Sequence, residues 1–313
     1  LDDNCEGGYS FVPSAPYPGG FAFDDHGHGT HVAGIVAAER QPGSSGVVGV
    51  APLARIVPMK VLDASGEGDY SGLIAALDTV TSRNIDSNLA NDIDVVNMSL
   101  GGTEVSYTMQ LAAIAANASG AILVGAAGNA VTLPDLLYGC GVVYPAAYPQ
   151  VIATTMTGPS DSLAFGSCSG PEVAIAAPGE SINSTVPYSG GSYTSASGYM
   201  PLTGTSMAAP HVAGGVALLL SEGIADANGN GRLDDVRAHL CSAADLGTGA
   251  TPGTQDYANA YGCGVMDIGD ALLDSPPPPP ENDPPVVDAG GPYSGAEGEV
   301  VAISANATDP EGD

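Results

Sequence analysis

The sequence predicts an α/β fold of three layers, a mainly parallel central sheet between helices, followed by a fragment of a β-sandwich module. Three observations carry this. Short runs rich in Val and Ile alternate with stretches whose apolar residues recur at helical spacing. The runs are continuous rather than alternating, as strands buried on both faces require. The alternation then ends at five consecutive prolines, Pro276–Pro280.

In chain order, the predicted strands are Ile56–Leu62, Ile93–Ser99, Ala121–Ala126, Val151–Thr155 and Val173–Ala176. Helical spacing covers Gly29–Ala38, Ser71–Arg83 and Val105–Ser119. Repeated β–α alternation implies parallel strands with helices on both faces. In such sheets function collects at the carboxyl ends of the strands. Val212–Leu220 is apolar but has the length of a core helix, short of the roughly 18 residues of a membrane span. Residues 1–274 form the main domain, and 275–285 a semi-rigid proline-rich linker. Residues 286–313 differ in character, with a strand-like run at Val300–Ile303 and turn chemistry at Asp309–Asp313. So short a piece cannot bury a core alone. The alternative is a bare flexible tail.

Composition narrows the function. Lys+Arg 6 against Asp+Glu 35 gives a net charge of −29 over 313 residues. A nucleic-acid partner is therefore not expected, because that needs a basic face. A hydrophobic content of 44% with only 13% charged residues argues for a packed core rather than disorder. Lys60 is the only lysine. Such a surface suits high salt, where screening removes self-repulsion, or an acidic extracellular protein. The chain opens at Leu1 with neither Met nor a signal peptide, and is read as a segment of a longer protein.

Three segments carry chemistry: His28-Gly29-Thr30-His31-Val32-Ala33-Gly34, Ala126-Ala127-Gly128-Asn129, and Gly204-Thr205-Ser206-Met207-Ala208-Ala209-Pro210-His211. A serine hydroxyl is a poor nucleophile until a base takes its proton, and His is the side chain suited to that near neutral pH. A Ser at a helix start puts its own N–H among the unpaired donors of the first turn, where an anion is favoured. An Asn on a strand-end turn can aim its amide at the same anion. His28, Ser206 and Asn129 thus make a base, a nucleophile and a two-donor oxyanion hole. An esterase of the α/β-hydrolase type is excluded by Ala208, which breaks Gly-x-Ser-x-Gly, and by the base preceding the nucleophile.

These segments resemble those of the subtilisin-like serine proteases, from Leu1 to about Leu273. Val50-Ala51-Pro52, Lys60-Val61-Leu62, Asn97-Met98-Ser99-Leu100-Gly101-Gly102 and Ala176-Ala177-Pro178-Gly179 follow in the family's order. The resemblance implies a secreted, monomeric endopeptidase acting on polypeptides, with His28 as general base, Ser206 as nucleophile and Asn129 as oxyanion donor. It implies a substrate clamped between Ser99-Leu100-Gly101 and Gly66-Glu67-Gly68 by β-augmentation. Ala126–Gly128, with Ala126 and Gly128 at its ends, would wall the primary specificity pocket. Val143, near its floor, points to a medium apolar side chain. Rate is expected to fall below about pH 6.5 as His28 protonates. The rival reading is a protease-like peptide-binding scaffold without turnover.

One family feature is not found. The aspartate that orients the His belongs on a strand end upstream, and neither Asp2 nor Asp3 has a strand before it. It is expected before Leu1. Without it the rate falls by roughly 10⁴, so the chain as it stands should be nearly inactive. The family also implies calcium. Asp226, Asn228, Asn230 and Asp234 follow calcium-loop spacing, with Gly231 at the sixth position, but Arg237 stands where Glu is needed. The alternative there is a polar turn ahead of a helix at Leu233–Ala243.

His31 is expected to pack or to support the site from behind, and His211 to be structural; His26 is expected in a solvated loop, with the cleft rim as the alternative, and Asp24–Asp25 in a solvated loop, with a substrate-facing acidic pair as the alternative. Five cysteines without a Cys-x-x-Cys pair do not suggest zinc. Proximity and expected neighbourhood pair Cys140 with Cys168 and Cys241 with Cys263, leaving Cys5 over; five reduced thiols are the alternative. Past the prolines, Pro284–Tyr293 followed by Asp309–Asp313 resembles the opening of a PKD-type immunoglobulin-like module.

Overall fold

The computed structural model describes residues 1, 4–12, 22–40, 46–223 and 232–273, and the backbone at 286–288 and 306–308. The chain divides into two compact units, Leu1–Ser275 and Pro276–Asp313. The first contains β1 (Tyr9–Ser10), α1 (His28–Ala37), β2 (Met59–Lys60), α2 (Tyr70–Asn84), β3 (Val95–Met98), α3 (Tyr107–Ala118), β4 (Ile122–Ala126) and α4 (Leu133–Tyr138). It continues through β5 (Val151–Thr157), β6 (Val173–Pro178), β7 (Ile182–Thr185), β8 (Tyr199–Leu202), α5 (Thr205–Ser221), α6 (Arg232–Ser242), α7 (Gln255–Tyr261) and α8 (Ile268–Leu273).

Strands β3, β4, β5 and β6 form one parallel sheet in that order. Every residue of β4 and β5 is buried, which accounts for their unbroken apolar runs. Alternation sorts their side chains onto two faces. Ile122, Val124 and Ile152 pack with Val212, Val216 and Leu219 of α5 and Val236 and Leu240 of α6. Leu123 and Val151 pack with Leu77 and Val80 of α2 and Met109 of α3. The three layers of the α/β prediction are these two helical layers and the sheet between them.

The predicted strand Ile56–Leu62 is reduced to β2. One edge of this segment pairs with the N-terminal segment: Ile56 N donates to Asn4 O (2.7 Å), Glu6 N to Ile56 O (2.8 Å), and β1 runs parallel to β2. Among the described residues nothing pairs with its other edge. That edge, with the outer edge of β3, faces a cavity of about 910 Å³ that reaches His28 and Ser99.

The β7–β8 hairpin, which periodicity did not reveal, clamps α1. Ser184 Oγ donates to His31 O (2.7 Å) and Thr185 Oγ1 to Thr30 O (2.9 Å). The fully buried His31 ring places Nε2 3.1 Å from Ile182 O and 2.9 Å from Met200 O, the packing role expected of it. Gly34 is required here, since a Cβ would lie 2.1 Å from Thr185 Oγ1.

Disulfides join Cys140 to Cys168 and Cys241 to Cys263, as proximity suggested. In the second unit β9 (Val286–Asp288) pairs antiparallel with β10 (Asn306–Thr308). The linker at 275–285 and the run Val300–Ile303 lie outside the described residues.

Candidate active site

His28 opens α1, and Asp24 fixes how it does so. Asp24 Oδ1 accepts from the backbone N–H of His26 (3.1 Å) and Gly27 (2.7 Å), while Oδ2 accepts from Thr30 N (2.7 Å) and Thr30 Oγ1 (2.6 Å). It satisfies first-turn donors from a position before the cap. Burial works against its charge, but the bonds from Thr30, Gly27 and His26 hold the carboxyl below its usual range. Asp24 is therefore not the solvated loop residue that the sequence suggested. Its neighbour Asp25 pairs with Lys60 at 2.6 Å, an ion pair at the start of the cavity wall. Gly27 has a φ of 100°, and a Cβ there would fall 2.0 Å from Tyr193 O.

Tyr193 lies 6.4 Å from the His28 ring and meets His26 edge-on at 5.0 Å; the two imidazoles are 6.4 Å apart. His26 is thus a half-buried loop residue beside the candidate base, as the cleft-rim alternative had it. Gly66 (φ 81°) brings the segment Gly66-Glu67-Gly68 against it, since a Cβ on Gly66 would sit 3.1 Å from the His26 ring. Burial lowers the His28 pKa to about 4, helped by His26 and His31 and opposed by Asp24. The expected acid limit near pH 6.5 therefore moves down. Among the described residues no carboxylate hydrogen-bonds this ring to oppose the effect of burial.

Ser206 is the second residue of α5. Its Oγ donates to Ser99 O (3.3 Å), and Ser99 Oγ donates to Ser206 O (2.8 Å). Pro210 explains the second bond. A helix pairs the carbonyl of residue 206 with the N–H of residue 210, and proline has none. Asn97 Nδ2 in turn donates to Ser99 Oγ (3.0 Å).

Thr205 ties the third segment in. Its backbone N–H donates to Asn129 Oδ1 (2.9 Å), its hydroxyl donates to the same oxygen (3.3 Å) and accepts from Gly128 N (3.1 Å). An acceptor is needed at that atom, so the amide orientation is set by its partners. Asn129 Nδ2 and the Ser206 N–H then have no partner among the described residues. Both flank Gly204: from a Cβ placed there, Nδ2 would be 3.5 Å away and Ser206 N 3.7 Å. Thr205 stands inside the third motif and Asp24 a turn's length before the first, and their hydroxyl and carboxylate were the available signal.

The segments Ser99-Leu100-Gly101 and Ala126–Gly128 follow β3 and end β4, adjacent strands of one sheet. His28, Ser99 and Leu100 line one cavity; Ser206 is bonded to Ser99 and Asn129 to Thr205, and no hydrogen bond joins His28 to Ser206 or Asn129. Asp226, Asn228 and Asn230 lie outside the described residues. Asp234 stands in the first turn of α6, and no cluster of three His, Cys, Asp or Glu suited to a metal ion occurs among the described residues.

A model of the Subtilase family matches residues 2–264. The chain belongs to the Subtilase family. This subtilase is 42% identical over 221 residues to Subtilisin E of Bacillus subtilis (strain 168), covering 71% of this chain and 52% of that protein. It is 39% identical over 250 residues to a Subtilisin of Bacillus pumilus, covering 79% and 82%. It is 39% identical over 247 residues to the Minor extracellular protease Epr of Bacillus subtilis (strain 168), covering 79% and 33%. The subtilase chain spans about half the length of Subtilisin E and of several other curated relatives that it matches.

Proposed function

We propose that this subtilase is a secreted serine endopeptidase that cleaves polypeptides through an acyl-enzyme. Ser206 Oγ attacks the carbonyl carbon of the scissile bond while His28 takes its proton. Asn129 Nδ2 and the Ser206 N–H hold the resulting oxyanion. His28 returns the proton to the leaving amine, and a water that it activates releases the acyl group. The observation that carries this reading is the pair of unpartnered donors beside Ser206, held there by Thr205 and Asn129.

The carboxylate that orients His28 belongs, on this reading, to a strand upstream of Leu1. Support comes from the cavity that reaches His28 and is lined by residues of both the 56–63 and 92–97 segments, where among the described residues β2 and β3 are each paired on one edge. Asn97 Oδ1, buried and without a partner among the described residues, belongs to a residue of its wall. An extended segment would give both edges a neighbour. The bare His28 ring is also what favours the second reading, a peptide-binding scaffold without turnover.

Secretion is supported by two disulfides, which persist in oxidising surroundings. No helix among the described residues is long and apolar enough to cross a membrane. Calcium at Asp226, Asn228, Asn230 and Asp234 is supported by the oxygen-ligand spacing alone. The PKD-type reading of 286–313 likewise rests on its sequence, with β9 and β10 as its described strands.

The test is to treat the full-length protein with a phosphonylating serine reagent and map the adduct by mass spectrometry. A single label on Ser206 is expected. A label on another serine, or none on a protein with ordered near-UV circular dichroism, overturns the endopeptidase reading in favour of the scaffold.

A further inference from the structure

At Asn129 the candidate cleft passes into a surface of different character. The isolated bridge from Asn129 to Ser167 is antiparallel, and the next N–H along, that of Ala130, donates to Gly166 O (2.8 Å). One further step sets Val131 opposite Phe165, and these side chains are 85% and 81% exposed. The chain then turns directly into α4, which buries none of its residues. Leu133, Leu136, Leu137 and Tyr138 of that helix are all exposed, with Leu133 and Leu137 one turn apart on the same side. Large apolar side chains thus stand in water from two residues after the oxyanion donor onward. Contiguous apolar surface of this kind marks a binding site more often than an accident of packing.

The patch is firmly built. Thr132 and Asp135 form a capping box: Asp135 N donates to Thr132 Oγ1 (3.3 Å), and the N–H groups of Thr132 (3.0 Å) and Val131 (3.3 Å) donate to Asp135 Oδ2. Beyond the other end of α4, Cys140 is bridged to Cys168, and Cys140 O accepts from Ser169 N (3.0 Å). The helix is therefore held at both ends without an occupant. Asp135 is the only charged residue between 130 and 143, and its carboxylate is committed to the cap. Apolar contact is what remains on offer.

Position and charge decide what covers it. A second copy would bring one chain of net charge −29 against another, and that repulsion opposes self-association. A polypeptide held in the cleft passes beside Asn129, so its more distant parts are at high effective concentration around α4. Polypeptides with apolar side chains free to bind are unfolded ones, because folded proteins keep most of theirs inside. We propose that α4, with Val131 and Phe165, is an exosite that binds apolar stretches of unfolded polypeptide substrates while another part of the same substrate occupies the cleft. This rests on the endopeptidase reading and narrows its substrate class.

The experiment uses the full-length protein. It compares steady-state kinetics on β-casein, an unfolded and apolar-rich chain, with kinetics on succinyl-Ala-Ala-Pro-Xaa p-nitroanilides (Xaa as Ala, Leu or Phe), which are too short to fill both sites at once. L133Q/L137Q keeps the net charge and alters only exposed side chains. It is expected to raise KM for β-casein by about 10-fold, the scale of one leucine's burial, with kcat and the p-nitroanilide kinetics unchanged. Independently of turnover, p-benzoylphenylalanine in place of Leu137 in a Ser206→Ala protein is expected to photocrosslink to β-casein. An unchanged KM, an equal loss on both kinds of substrate, or no crosslink overturns the exosite and leaves the endopeptidase reading standing. So does a wild type that sediments as a dimer which L133Q/L137Q dissociates. A wild type that cleaves neither β-casein nor any of the p-nitroanilides overturns both.

Discussion

The two sides of the candidate cleft are built to different degrees by this chain. On the nucleophile side, Thr205, Ser99 and Asn97 fix Ser206 and Asn129 through bonds between distant segments, and Asn129 Nδ2 and the Ser206 N–H, both beside Gly204, have no partner among the described residues. On the histidine side, Asp24 fixes the start of α1, but the ring itself meets a cavity and has burial as its main influence. Positioning the oxyanion site and tuning the base are therefore separable tasks. The first is complete within residues 97–210; the second needs an element that touches the ring.

The histidine side offers the most to gain. Extending the chain upstream, so that a strand carrying a carboxylate fills the cavity, should raise kcat/KM by about 10⁴. It should also move the acid limb of the rate. An adjacent carboxylate stabilises the imidazolium, so the His28 pKa rises from about 4, and the limb moves to higher pH. Below its pKa the ring is charged and cannot act as base, so activity is lost as pH falls through that value. Paired pH–rate profiles of the chain and its extended form check both points. Equal rates with a limb fixed near pH 4 would show that the base side was already complete.

A somewhat smaller loss should follow from damage to the other side. Asn129→Ala removes the amide donor and is expected to lower kcat by about 10²–10³ with little change in KM, because the oxyanion exists only after attack. Steady-state kinetics separates the two. A loss confined to KM would make Asn129 a substrate contact and dissolve the distinction between the sides.

Much of this was legible in the sequence because it depends on local patterns. Continuous apolar runs marked β4 and β5, and helical spacing marked α1, α2 and α3. Ser206 at a helix start and Asn129 after a strand were recoverable for the same reason. What escaped depends on partners far along the chain. Asp24 reads as one of two loop aspartates until Thr30 and Gly27 are seen to donate to it. Ile56–Leu62 reads as a full strand, yet among the described residues only one of its edges is paired, and regular pairing there covers only Met59–Lys60 beside an isolated bridge at Ile56. The β7–β8 hairpin has too few apolar residues for a periodic signal, and it is held instead by hydroxyl bonds to α1. Exposed apolar side chains on α4 gave no amphipathic pattern, because that helix buries none of its residues.

A subtler change is expected at Pro210, which looks like a flaw in α5 when taken alone. Its missing N–H leaves Ser206 O without a helical donor, and Ser99 Oγ supplies one across 107 residues of sequence. Ser99→Ala should therefore destabilise the protein by about 1–3 kcal/mol, the cost of leaving a partly buried acceptor unpaired. In a Pro210→Ala background the helix can supply its own N–H to that carbonyl. The same Ser99→Ala change should then cost clearly less, and urea unfolding of the four proteins in the cycle measures the difference. Additive costs would mean that Ser99 and Pro210 do not share the carbonyl. Coupled costs would mean that the nucleophile's helix is completed from β3, so the rigidity of the oxyanion side is a property of the sheet rather than of α5.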